Sequence, residues 1–148
     1  MGLYDNIGTA QVSGSGQYFK PGQYRVQVQE VKEITSRKGV NFFIVEVTVL
    51  KTTCPDYQAG ATIGWPVNLS QDYALGNIKE FAQALAGDMQ ATVTAQDIEA
   101  MLGEDQPAAG MELDVDAIER ISRQGNTWTQ ARWRPRGTLT MVRDGSDY

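Results

Sequence analysis

Five stretches of this chain alternate apolar and polar side chains with a period of two, and turn-forming residues divide them from one another. Tyr24, Val26 and Val28 alternate with Gln23, Arg25, Gln27 and Gln29, and Phe43, Val45, Val47 and Val49 form an unbroken apolar row. Ile63, Trp65, Val67 and Leu69 repeat the pattern, as do Met111, Leu113, Val115 and Ala117 against Glu112, Asp114 and Asp116. The fifth stretch, Thr127 to Arg134, sets Ala131 and Trp133 on one face and Trp128, Gln130, Arg132 and Arg134 on the other. Successive side chains of a strand point to opposite faces, so each stretch predicts a strand with one side in a core. Lys20-Pro21-Gly22, Ser36-Arg37-Lys38-Gly39 and Gln124-Gly125-Asn126 supply turns. In the first strand the apolar phase slips between Val28 and Val31, which predicts a bulge near Gln29-Glu30 and a long, bent strand.

Between the third and fourth strands the period changes. Leu75, Ile78, Phe81, Ala82 and Leu85 fall at helical spacing, and Gly87 follows where a helix would end. Thr94-Ala95-Gln96-Asp97 is a capping-box variant that opens a second short helix carrying Ile98, Met101 and Leu102, closed by Pro107 and Gly110. Three strands, a helical insertion and two strands is the order of an all-β fold with a helical insertion, a five-stranded OB-fold-like barrel (β-β-β-α-β-β). Another small antiparallel α+β sheet is the competing architecture. The 148 residues suit one domain. Its expected parts are a flexible N-terminal arm over 1–21, the barrel over 22–136 with its helical insertion at about 74–110, and a C-terminal tail over 137–148.

Composition removes most chemistry. There is no histidine and Cys54 is the single cysteine, so the commonest general base, Cys-rich zinc patterns and an internal disulfide are all excluded. No enzyme, catalytic residue, cofactor or metal is expected. Glu112, Asp114 and Asp116 share one strand face and read as a solvated acidic face before a cation site. Gly14-Ser15-Gly16 lacks the strand-then-helix context of a phosphate loop. No apolar run approaches the roughly 20 residues that span a bilayer. The N-terminus lacks a signal-peptide pattern, and Asn6 stands where a myristoylation motif wants Ser or Thr. A cytoplasmic protein is the expectation, in the host cell if a phage encodes it.

Net charge is −5, which opposes a polyanionic partner until it is read by segment. From Asp72 to Glu119 there are eleven acids and one base, Lys79, whereas from Arg120 to Arg143 there are six arginines and no acid. An OB barrel holds oligonucleotides across its second and third strands, between the loops joining strands one to two and four to five. Arg37 and Lys38 sit in the first of these loops, and Arg120 and Arg123 flank the second. A single strand needs cations for phosphates and flat rings for bases. The predicted nucleic-acid-binding residues are therefore Arg37, Lys38, Phe42, Ile44, Trp65, Arg120, Arg123, Trp128, Arg132 and Arg134. Against this, a hairpin pivoting on Gly125 would set Asp116 opposite Arg134 and Asp114 opposite Arg136, spending those arginines on cross-strand ion pairs. Phe42 and Ile44 have a competing use as packing for Tyr18 and Phe19.

Pro21-Gly22-x-Tyr24, Gly39-x-x-Phe42-Phe43-Ile44-Val45-Glu46 and Gly76-Asn77-Ile78-Lys79-x-Phe81 give the chain its resemblance to the OB-fold single-stranded DNA-binding proteins of tailed bacteriophages. The resemblance covers roughly Pro21 to Arg136 and implies a sequence-tolerant binder that coats single-stranded DNA during phage replication and recombination. It also implies that the acidic end, Asp144 to Tyr148, recruits phage replication proteins, although this tail is shorter and less acidic than is usual. An OB-fold protein-interaction or virion-assembly module without nucleic-acid binding is the alternative.

Overall fold

The computed structural model describes residues 17–140; the N-terminal arm before Gln17 and the tail Asp144 to Tyr148 lie outside them. The five expected strands form as β1 (Gly22–Thr35), β2 (Asn41–Thr52), β3 (Thr62–Asn68), β4 (Glu112–Ile121) and β5 (Thr127–Pro135). Two helices, α1 (Ala74–Ala86) and α2 (Ala95–Met101), fill the insertion. The strands make one antiparallel sheet in the order β3-β2-β1-β4-β5, leaving β3 and β5 as its edges.

The apolar rows land where the alternation puts them. Tyr24, Val26, Val28, Val31, Val45, Val47 and Ile63 are buried on the inner face, joined by Leu113, Val115 and Trp133. The bulge expected near Gln29 is present, since Val28 pairs with Val47 and Glu30 with Glu46. A second irregularity lies opposite Leu50, where Arg25 pairs with Lys51 and Val26 with Val49. Each extra residue bends its strand, and β1 thereby pairs with β4 along Gly22 to Gln27 and continues beyond it along β2. The Thr94–Asp97 capping box closes from both sides: Asp97 N donates to Thr94 Oγ1 at 3.2 Å and Thr94 N to Asp97 Oδ2 at 2.8 Å. Gly87 takes the left-handed conformation (φ 75°) that ends α1.

Each edge strand is bonded from outside the sheet at one point. Glu80 of α1 accepts from Trp133 N on the free side of β5 at 2.9 Å, while Gly64 N of β3 donates to Gln17 O at 2.9 Å. Pro66, which has no N–H to leave exposed, occupies β3 as proline occupies edge strands. Beneath these edges the rings of Trp65 on β3 and Trp133 on β5 meet edge to face at 5.0 Å, with Phe81 of α1 at 6.0 and 4.8 Å from them. Order therefore reaches back before the Lys20–Gly22 turn. Phe19 is buried against Tyr24 and Trp133, and Tyr57 Oη donates to Tyr18 O at 2.6 Å. Phe19 thus packs at the end of β1 and against β5, and not on Phe42.

The register of the β4–β5 hairpin departs from the sequence expectation by two residues. Asp116 faces Arg132 and Asp114 faces Arg134, because the turn centres on Gln124 and not on Gly125. Ser122 and Asn126 close it, and Gly125 follows the centre at φ 88°.

Candidate nucleic-acid interface

The two hairpin tips are built alike. In Ser36-Arg37-Lys38-Gly39-Val40, Ser36 N donates to Val40 O at 2.8 Å, Gly39 N to Ser36 O at 2.9 Å, and Val40 N to Ser36 Oγ at 3.1 Å. In Ser122-Arg123-Gln124-Gly125-Asn126 the equivalent three bonds measure 2.8, 2.9 and 3.1 Å. Both glycines have positive φ, 83° and 88°, the position after a tight turn that side chains disfavour. The serine hydroxyl supplies the remaining acceptor, so each five-residue segment closes on itself and points an arginine outward. Arg37, Lys38 and Arg123 are exposed. This repeated Ser-Arg-x-Gly was readable in the sequence as a signal, but only the shared bonding shows that it builds one structure twice.

The tips lie at opposite ends of β1. One follows its C-terminal residue Thr35; the other extends past Ala117, which pairs with the first residue, Gly22. Beyond Ala117 the β4–β5 ribbon stands clear of β1 and carries Trp128, which is 50% exposed and directly opposite Arg120. Arg120 Nε donates to Gln130 Oε1 at 2.9 Å, which lays the guanidinium along the face that Trp128 occupies. Ile121 at the same tip is exposed. A half-bare indole opposite one arginine, with a second in the turn of the same hairpin, offers a π-face and cations within one short ribbon.

The remaining sequence-predicted residues are placed differently. Arg132 and Arg134 point to Glu80 of α1, not to β4: Arg132 Nε and Arg134 Nη1 lie 3.0 and 3.1 Å from Glu80 Oε2. The sequence expectation set Arg134 against Asp116 and Arg136 against Asp114, but the helix brings a carboxylate to the sheet edge that no strand pattern contains. Trp65 shares the inner face with Ile63 and Val67, and its ring belongs to the aromatic cluster with Trp133 and Phe81. Ile44 is buried between its partners Lys32 and Pro66, whereas Phe42, opposite Ile34 and Asn68, is half-buried. Beside Ile44, Lys32 Nζ contacts Glu46 at 3.0 Å and Glu30 at 3.7 Å. The stretch between the tips therefore sets one lysine against two carboxylates, and cations concentrate at its ends.

The acidic face of β4 is spent internally. Asp114, fully buried, accepts from Arg25 Nε at 2.9 Å and from the backbone N–H groups of Gly137 and Leu139 at 3.0 and 2.9 Å. Glu112 takes Arg136 Nε at 2.7 Å. Among the described residues no cluster of His, Cys, Asp and Glu is arranged to hold a metal ion, and no helix is long and apolar enough to cross a membrane. Burial raises the phenol pKa of Tyr24 well above its ordinary value, with a hydrogen bond to Cys54 adding to the effect, and burial likewise raises Tyr57. A scan against protein-family models finds no match, and a search of curated proteins finds no significant relative.

Proposed function

We propose that this chain binds single-stranded DNA without strong sequence preference, with its two hairpin tips as the principal contacts. The observation that carries the reading is the β4–β5 tip, where half-exposed Trp128 stands opposite Arg120 and exposed Arg123 lies in the turn of the same hairpin. Trp128 stacks on a base, Arg120 and Arg123 take the adjoining phosphates, and Arg37 with Lys38 hold the strand at the other end of β1. Phe42, opposite Ile34 next to the β1–β2 turn, supplies apolar surface at that end. The strand order β3-β2-β1-β4-β5, with α1 against both edges, supports an OB-type barrel as the scaffold. The resemblance to phage single-strand binders makes replication and recombination the setting, with Asp144 to Tyr148 as the partner-recruiting end.

Titration with fluorescently labelled oligo-dT, read by anisotropy across a salt series, tests the proposal. Neutralising four phosphates at the tips gives a log–log salt slope of roughly −3 on single strands. Intrinsic fluorescence should fall as well, because Trp128 is the indole with the most exposed ring. No binding at low salt, or an affinity that ignores salt, would refute it.

A further inference from the structure

A strand edge left open beside an apolar groove marks a second interaction surface. Past Gln27, β1 loses β4 as its neighbour: Val28 exchanges bonds with Met111 and Gly110, each at 2.8 Å, and there the ladder stops. The next outward residue, Val31, is served by a side chain. Gln106 Oε1 accepts from Val31 N at 2.8 Å and Gln106 Nε2 donates to Val31 O at 2.8 Å, so one amide reproduces both bonds of a neighbouring peptide. By parity the N–H and C=O groups of Glu33 and Thr35 also point away from β2, and no described strand or side chain takes them. Both residues are exposed.

Glu33 is also a wall of a cavity of about 410 Å³, whose apolar lining comes from Leu75, Ile78, Val93, Ile98 and Leu102 of the two helices and their connection. Leu75 is 75% exposed, a large aliphatic side chain that also lines the groove. Ionised lining comes from Glu33, Glu99 and Lys79, and Lys79 is the only base from Asp72 to Glu119 against eleven acids. An unpaired strand edge supplies main-chain bonds, a groove beside it takes alternate side chains, and the acidic surround selects the charge of what enters.

We propose that this groove receives an extended segment of a partner protein, alternating apolar and basic residues, which adds to β1 at Glu33 and Thr35 where Gln106 leaves off. Its apolar side chains fill the space between α1 and α2, and its lysines or arginines face Glu33 and Glu99. The site is separate from the hairpin tips and does not rest on the single-strand reading.

A short synthetic peptide alternating lysine with isoleucine and valine, titrated into the isotope-labelled full chain, provides the test. Amide shifts should centre on Glu33, Thr35, Leu75 and Ile98. Leu75→Asp, at a position too exposed to endanger folding, should weaken binding by about tenfold or more, while Ile121→Asp at the β4–β5 tip leaves it unchanged. A proline at the peptide's centre, which removes a main-chain donor, should also cost about tenfold, as should exchanging every lysine for glutamate. The proposal is overturned if the shifts map elsewhere, if the glutamate peptide binds equally well, or if Leu75→Asp has no effect. Oligo-dT binding should be indifferent to Leu75→Asp, which separates failure here from failure of the tip-binding reading.

Discussion

Asp114→Ala should destabilise the fold strongly. The carboxylate has no exposed surface, and Arg25, its ion-pair partner on β1, is 3% exposed. Oδ1 accepts from Arg25 Nε at 2.9 Å, and Oδ2 accepts from Gly137 N at 3.0 Å and Leu139 N at 2.9 Å. One side chain thus ties β4 to β1 and fastens the segment that follows β5. Breaking a buried pair by removing one partner costs about 3–5 kcal/mol. The two orphaned amides would add about 1–3 kcal/mol each if they stayed buried, but segment 137–139 can lift into water and recover most of that. A net loss of about 4 kcal/mol is expected, a large share of the 5–15 kcal/mol typical of a domain.

The reverse change, Arg25→Met, should cost only about 2 kcal/mol, because Asp114 keeps two backbone donors to hold its charge. The double variant should then lose about 2 kcal/mol less than the sum of the singles. Urea unfolding followed by far-ultraviolet circular dichroism measures all three, provided the m-values agree. A loss below about 1 kcal/mol for Asp114→Ala, or strict additivity of the two changes, would refute this account of the pair.

Trp128→Ala should weaken oligo-dT binding by about 1–3 kcal/mol while leaving the unfolding midpoint nearly unchanged, since the ring is half in solvent. Glu80→Gln removes the charge shared by Arg132 and Arg134 but keeps an acceptor for Trp133 N; stability should fall by about 1 kcal/mol. The two released arginines should tighten oligo-dT binding at low salt and steepen the slope by roughly 0.7 for each new phosphate contact. Unfolding measured across alkaline pH should show a decline beginning near pH 10. Tyr24 and Tyr57 have raised pKa values in the folded chain, so above about pH 10 the unfolded state releases protons that the folded state retains. Their stabilising contribution is complete below that pH and falls by up to about 1.4 kcal/mol per pH unit for each group; Tyr24→Phe should flatten the decline.

Strand faces and bulges were legible because they are local. The period of two sorted Trp133 to the core and Trp128 to solvent, and the phase slip between Val28 and Val31 located the bulge at Gln29. The hairpin register was not legible from glycine alone, since Ser122 and Asn126 decide where the β4–β5 turn centres. Trp65 shows the limit of alternation from the other side: its phase with Val67 marked it as inward, but not that Trp133 and Phe81 would meet its ring.

By itself the sequence determined the five strands, the two helices, the segregation of acid from arginine and the absence of histidine chemistry. Periodicity, turn residues and composition act over a few neighbours in the chain, and one sequence contains them all. Only the tertiary structure decided which arginines are engaged by carboxylates within the fold. Glu80 reaches Arg132 and Arg134 across roughly fifty residues of chain, and Arg25 reaches Asp114 across nearly ninety. Such pairings depend on how α1 packs against β5 and how β1 lies beside β4. A side chain's charge is local, but its partner is set by the fold.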